Sequence, residues 1–141
     1  MANIVFDSFK NQLFLGTHNF SSTAGNTFYL SLYSTVTAFS SVTTTSYITT
    51  NETSGTGYTA GGTTLTNLGS TVAQGVSFID FADATFSTAT ITASCCMIYN
   101  TTQSKAAVVV LDFGGSKTST NGDFTIQFPA ANSTSAVLRI S

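Results

Sequence analysis

A chain of 141 residues with 6 acids, 4 bases and one His has the length of a single domain, and two domains would each be too small to hold a core. Its 42% hydrophobic residues and mean hydropathy of +0.25 exclude a disordered chain, which needs low hydrophobicity together with high charge. Charged residues make up only 7%, against about 25% in an ordinary soluble domain, while Ser and Thr supply about a third.

The polar exterior is therefore hydroxyl-rich and not ionic. Hydroxyls cost less to desolvate than charges and are readily satisfied by nearby backbone, so such a surface suits being covered by other subunits. A net charge of −2 also favours association over solubility. The four bases, Lys10, Lys105, Lys117 and Arg139, are scattered and form no stripe for phosphate, which argues against direct nucleic-acid binding. No apolar run approaches the roughly 20 residues of a membrane span. The N-terminus lacks a basic region followed by a long apolar one, so no signal peptide is expected and the chain should stay where it is made.

In chain order, Phe6, Phe9, Leu13 and Phe14 fall near helical spacing, with Asp7 or Ser8 as N-cap and Gly16 as stop, and predict one short N-terminal helix. Period two then takes over: in residues 27–34, Phe28, Leu30 and Leu32 share one face and Tyr29, Ser31 and Tyr33 the other, which predicts a half-buried strand. Further strand signals follow at 46–50, 63–66, 70–81, 85–100, 106–113, 124–128 and 136–140. Turn-forming stretches at 51–62, 80–84, 100–105, 114–122 and 129–135 separate them. The spacing, a single Pro and abundant Thr, Val and Ile predict one all-β domain over 1–141, a β-sandwich of jelly-roll type with the short helix added. The stretch 85–100 is long enough to bend or to serve two sheets.

Chemistry is sparsely signalled. The single imidazole, His18, follows the expected helix stop beside Asn19, and no motif places a nucleophile near it, so a loop or capping role is expected and no catalytic residue is assigned. Asp80 and Asp83, and Asp112 and Asp123 around a Gly-rich stretch, lack the spacing of a calcium loop and are expected to be solvated turn carboxylates. Gly114-Gly115-Ser116-Lys117-Thr118 departs from the phosphate-loop pattern and is expected to be a hairpin turn. Cys95 and Cys96 are neighbours on a strand, too strained to bridge each other and too few with one His for zinc; reduced, buried thiols are expected, with no metal or cofactor. Four N-x-[ST] sequons, at Asn19, Asn51, Asn100 and Asn132, are what chance gives in so Ser/Thr-rich a chain. The five tyrosines, Tyr29, Tyr33, Tyr47, Tyr58 and Tyr99, suit either a sugar-stacking face or sheet edges and subunit contacts. Four glycines in 55–62, Gly55, Gly57, Gly61 and Gly62, imply unusual backbone angles, close approach of another chain, or a flexible loop, in each case one that projects from the body.

Several strings carry a resemblance. The opening MANIVFDSFK (1–10), NETSGTGYTAGGTTLTN (51–67), the segment 84–100 ending Met97-Ile98-Tyr99-Asn100, and LDFGGSKTSTNGDFTIQF (111–128) resemble a family of small tailed-bacteriophage structural proteins. The likeness covers most of the chain in order. The Cys95-Cys96 pair and the Thr/Ser-rich middle at 34–50 depart from it. The resemblance implies a place in a virion and carries over no catalytic residue.

The expected function is that of a capsid cement or decoration protein, not an enzyme. It would be made in the bacterial host cytoplasm and sit on the outer surface of the phage head, bound to the major capsid protein and to copies of itself as a homo-dimer or homo-trimer. Contacts are expected from 3–9, through Ile4, Val5, Phe6 and Phe9, and from the loop bearing Gly55, Gly57, Tyr58, Gly61 and Gly62. The alternative is a tail, connector or head-fibre component with a receptor- or glycan-binding role.

Overall fold

The computed structural model describes residues 3–141; Met1 and Ala2, which belong to the N-terminal part of the resemblance and of the signal-peptide argument, lie outside them. The chain is mostly β, with two antiparallel sheets in a sandwich-like arrangement and one short helix. Strands β1 (Ile4–Val5), β2 (Phe28–Tyr33), β3 (Thr63–Thr64), β6 (Ala84–Asn100) and β7 (Ala106–Ile126) form a sheet in the order β1-β7-β6-β2-β3. Strands β4 (Asn67–Ala73), β5 (Val76–Phe81) and β8 (Leu138–Ile140) form the second, in the order β4-β5-β8. Among the described residues no helix is long and apolar enough to cross a membrane.

Helix α1 (Asp7–Phe14) lies where the apolar spacing places it, but its N-cap is Phe6, without a side-chain cap. The Phe6 ring is 0% exposed, and burying an aromatic outweighs the roughly 1 kcal/mol that a capping hydroxyl contributes. The Asp7 amide is instead satisfied by the Ser41 carbonyl at 2.9 Å, and the Asp7 carboxylate faces the positive end of the helix dipole. At the other end Gly16 adopts φ +68°. Its amide donates to Leu13 and that of Thr17 to Gln12, at 3.2 and 3.0 Å, the paired closure that a left-handed residue after a helix permits.

Strand β2 is buried on both faces, not half-buried as its alternation suggests. Ser31 and Tyr33 are 0% exposed because residues 34–62 fold over their side of the sheet. The Tyr33 hydroxyl donates to the Ile48 carbonyl at 2.6 Å, and its ring meets Phe39 edge-on at 4.7 Å. On the opposite face a chain of aromatic contacts runs Phe9–Phe20–Phe28–Phe81–Phe128, with centroids 4.6 to 6.1 Å apart. It ties helix, first sheet and second sheet into one core.

The expected strand at 46–50 reduces to one bridge, Ser46 to Ala106, since that covering segment bonds alternately to β2 and to the start of β7. Strand β6 stays in one sheet along its whole length. Its partner β7 runs straight through the stretch expected to be a turn: Cys95 pairs with Asp112 and Ala93 with Lys117. Residues 113–116 thus stand opposite Ser94 alone as a wide bulge, with Gly114 and Gly115 at φ +76° and +147° and the Gly114 amide held by the Asp112 carboxylate at 2.9 Å. The stretch 70–81, by contrast, is two strands. Gln74 and Gly75, both left-handed at φ 54° and 77°, turn β4 into β5 as a two-residue hairpin with Ala73 opposite Val76.

Candidate interaction surface

Of the residues expected to make contacts, Phe6 and Phe9 are buried, Ile4, Val5, Tyr58, Gly61 and Gly62 are half-buried, and Gly55 and Gly57 are exposed. Ile4 and Val5 pair with Val110 and Val109 as the edge strand of the larger sheet and pack on the core. Phe6 and Phe9 are 0% and 3% exposed and are core side chains, not contact residues. They are apolar because they anchor β1 and α1, and that requirement gives the same sequence signal as a docking segment.

The glycine loop does not project from the body. A side chain on Gly55 would meet the Thr90 carbonyl, one on Gly57 would lie 2.7 Å from the Ala89 Cα, and one on Gly62 would strike the Leu30 carbonyl. The chain that approaches so closely is the protein's own, β6 on one side and β2 on the other, and Thr56 bridges Thr90. What fastens the loop is Glu52. Its carboxylate accepts from the Tyr47 hydroxyl at 2.6 Å, the Tyr58 hydroxyl at 2.7 Å and the Gly61 amide at 2.7 Å. The Tyr58 oxygen in turn accepts from the Leu32 amide, and the Tyr99 hydroxyl donates to the Gly61 carbonyl.

Burial, with the nearby carboxylate second, raises the pKa of Tyr47 and Tyr58 well above the ordinary phenol value and that of Tyr99 to about 12. Tyr33 and Tyr99 are 0% and 2% exposed and Tyr29, Tyr47 and Tyr58 are half-buried; Tyr47 and Tyr58 clasp the Glu52 carboxylate and Tyr99 the Gly61 carbonyl beside it, so the hydroxyls of these three are turned inward. Sequence reasoning passed over Glu52 because its donors lie five, six and nine residues away, in no local motif.

His18 is likewise internal. The Asn100 side-chain amide, 0% exposed, donates to Asn26 at 2.8 Å and to His18 Nδ1 at 2.9 Å, which leaves Nε2 to donate to Gln12 at 2.7 Å. Both ring nitrogens are committed, and burial lowers the imidazole's proton affinity. Asp80 is not a solvated turn residue: it lies in β5, 6% exposed, accepts from the Phe81 amide, and has its pKa raised by burial. Asp83 holds the Phe128 amide at 2.9 Å. Cys95 and Cys96 are free and buried, with Cys95 pushed up to about 11 by desolvation. Among the described residues no group of three or more His, Cys, Asp or Glu could hold a metal.

The exterior carries large apolar side chains in other places. Phe14 is 92% exposed and Leu15 71%. Phe14 sits five residues after the buried Phe9, about 140° around the helix, so it points away from the core that the spacing argument assigned to it. On the second sheet Val72 stands opposite Ser77, and Ser77 opposite Ile140. Cross-strand partners share a face, and Val72 and Ile140 are 72% and 61% exposed.

In the next row Ser70, Ile79 and Leu138 face the same way. Between this face and α1 runs a groove of about 660 Å³, lined by Phe9, Leu13, Phe20, Ile79, Leu138 and Ile140 among others. A larger groove of about 1080 Å³ separates the free edge of β7 from β8; its rim carries both signs of charge, Asp112, Asp123, Lys117 and Arg139.

No protein-family model, curated protein or solved structure matches the chain.

Proposed function

We propose that the chain is a bacteriophage virion structural protein, a capsid cement or decoration protein that binds the major capsid protein and further copies of itself and ties the shell together without catalysis. The observation that carries this reading is an exterior poor in charge and rich in hydroxyls that exposes Phe14, Leu15, Val72 and Ile140 on a rigid β body. Apolar surface on that scale marks an interaction site, and hydroxyls around it are cheap to dry. Binding would be additive: contacts of modest strength, repeated over many copies, hold a shell by avidity.

The finer architecture proposed with it is a jelly-roll variant. The chain crosses between sheets at β3–β4, β5–β6 and β7–β8, and it differs from the simplest form in keeping β4–β5 and β6–β7 as hairpins within a sheet.

Quantitative mass spectrometry of purified particles tests the functional reading. Many copies per shell, in fixed proportion to the major capsid protein, are expected. Six or twelve copies would move it to a tail or connector, and absence from intact particles would remove it. Specific saccharide binding on a glycan array would favour the receptor-binding alternative, to which Tyr33 and Tyr99, both buried, offer no stacking face.

A further inference from the structure

We infer that two copies of the chain associate through the α1 end and the face of the β4-β5-β8 sheet, Phe14 and Leu15 of each entering the groove of the other. This rests on the proposal that the exterior is hidden by neighbours and names a like neighbour for this face. Knob and groove lie side by side on one molecule: Leu13 and Gly16, on either side of Phe14 and Leu15, line the groove. A two-fold axis between two copies therefore lets both knobs enter both grooves at once, the self-complementary geometry of a closed dimer.

The groove, about 660 Å³, falls in the range that takes a small-molecule ligand and has room for a Phe and a Leu side chain. The area also suffices. Phe14 offers about 200 Å², and Leu15, Val72 and Ile140 about 100 Å² each, together about 500 Å². A homodimer interface of about 800 Å² per partner, about 65% apolar, needs that much. Charge does not oppose the pairing. Lys10 in the groove wall is neutralised by Asp7 at 2.7 Å. Arg139, which also borders the groove, stands opposite Phe78 and donates to the Ser133 carbonyl at 3.3 Å.

Light scattering on the purified full chain should give twice 14.7 kDa. Phe14→Asp, at a position 92% exposed and so tolerated by the fold, should weaken the dimer about tenfold or more. Val42→Asp, at an exposed apolar residue that does not border the groove, should leave it intact. As an independent readout, Phe14→Cys mixed with Ser77→Cys should form a disulfide-linked pair under mild oxidation, since Cys95 and Cys96 are buried. A monomeric wild type, a Phe14→Asp dimer of unchanged strength, or failure of the mixed cross-link would overturn the inference. These outcomes are separable from those of the functional proposal: a chain that is monomeric yet abundant in particles sinks the dimer alone, and a Phe14-dependent dimer missing from particles sinks the virion role alone.

Discussion

A methyl group at position 62 has no room, because the Leu30 carbonyl of β2 occupies its place and φ there is +82°. Gly62→Ala should destabilise the fold by about 3 kcal/mol or more, since a backbone contact has to be broken as well as a left-handed conformation strained. Gly75→Ala, at φ +77° with open space around it, should cost only about 1 kcal/mol; guanidinium unfolding of the two variants separates contact from conformation. Glu52→Gln keeps one acceptor oxygen where two phenols and an amide converge. The loss should be about 2 kcal/mol, the scale of a hydrogen bond to a charged group, read from the same unfolding curves.

His18 makes stability depend on pH with a definite sign. Its folded proton affinity lies below the ordinary value of 6.5, so as pH falls below 6.5 the unfolded chain takes up a proton that the folded ring refuses. Stability is full above that pH and declines below it until the lower folded value is reached. Protonated Nδ1 would also face the Asn100 amide, donor against donor. Urea midpoints measured on either side of pH 6.5 should show this decline in the wild type and a smaller one in His18→Gln.

At the scale of elements, β6 carries the two adjacent thiols between β2 and β7, Cys95 opposite Tyr33 and Cys96 opposite Leu32. Burial holds both in the thiol form, and a buried thiol is a poor nucleophile. Iodoacetamide at about pH 8, where a free cysteine reacts readily, should leave the native protein unmodified and label both residues in denaturant; native labelling of either would contradict the packing of the strand.

The elements that could be recognised in advance are those whose pattern and partners agree. Strand β2 follows from Phe28, Leu30 and Leu32, and α1 from Phe9 and Gly16. Both ends of strand β7 are legible at 106–113 and 124–128, but its middle reads as a turn because Gly114-Gly115 and Asn121-Gly122 carry turn chemistry, while their actual role is to absorb extra residues against β6. Nothing local distinguishes a bulge from a turn; only the partner strand does. The Gln74-Gly75 hairpin was missed for the converse reason, since Gln is an uncommon left-handed residue and the apolar pattern continues on both sides. The candidate surface was obscured in the same way. Phe6, Phe9 and Phe14 are chemically alike, and which of them is left outside depends on how α1 rotates onto the sheet.

For the molecule as a whole, scarcity of charge makes one behaviour predictable. Association driven by apolar and hydroxyl surface should change little in strength between about 50 mM and about 500 mM salt, a range over which ionic contacts are progressively screened. Sedimentation velocity across that range is the check, and dissociation at high salt would assign the contacts to the few charged residues instead.

The pairing of Ile4 with Val110 also sets a timetable for biosynthesis. At about 5 to 20 residues per second, the ribosome needs roughly 5 to 20 s after making the first strand to deliver its partner. Throughout that interval Phe6 and Phe9 have no β7 edge to close upon, so the nascent chain travels with these two aromatic residues unhoused until the long hairpin arrives.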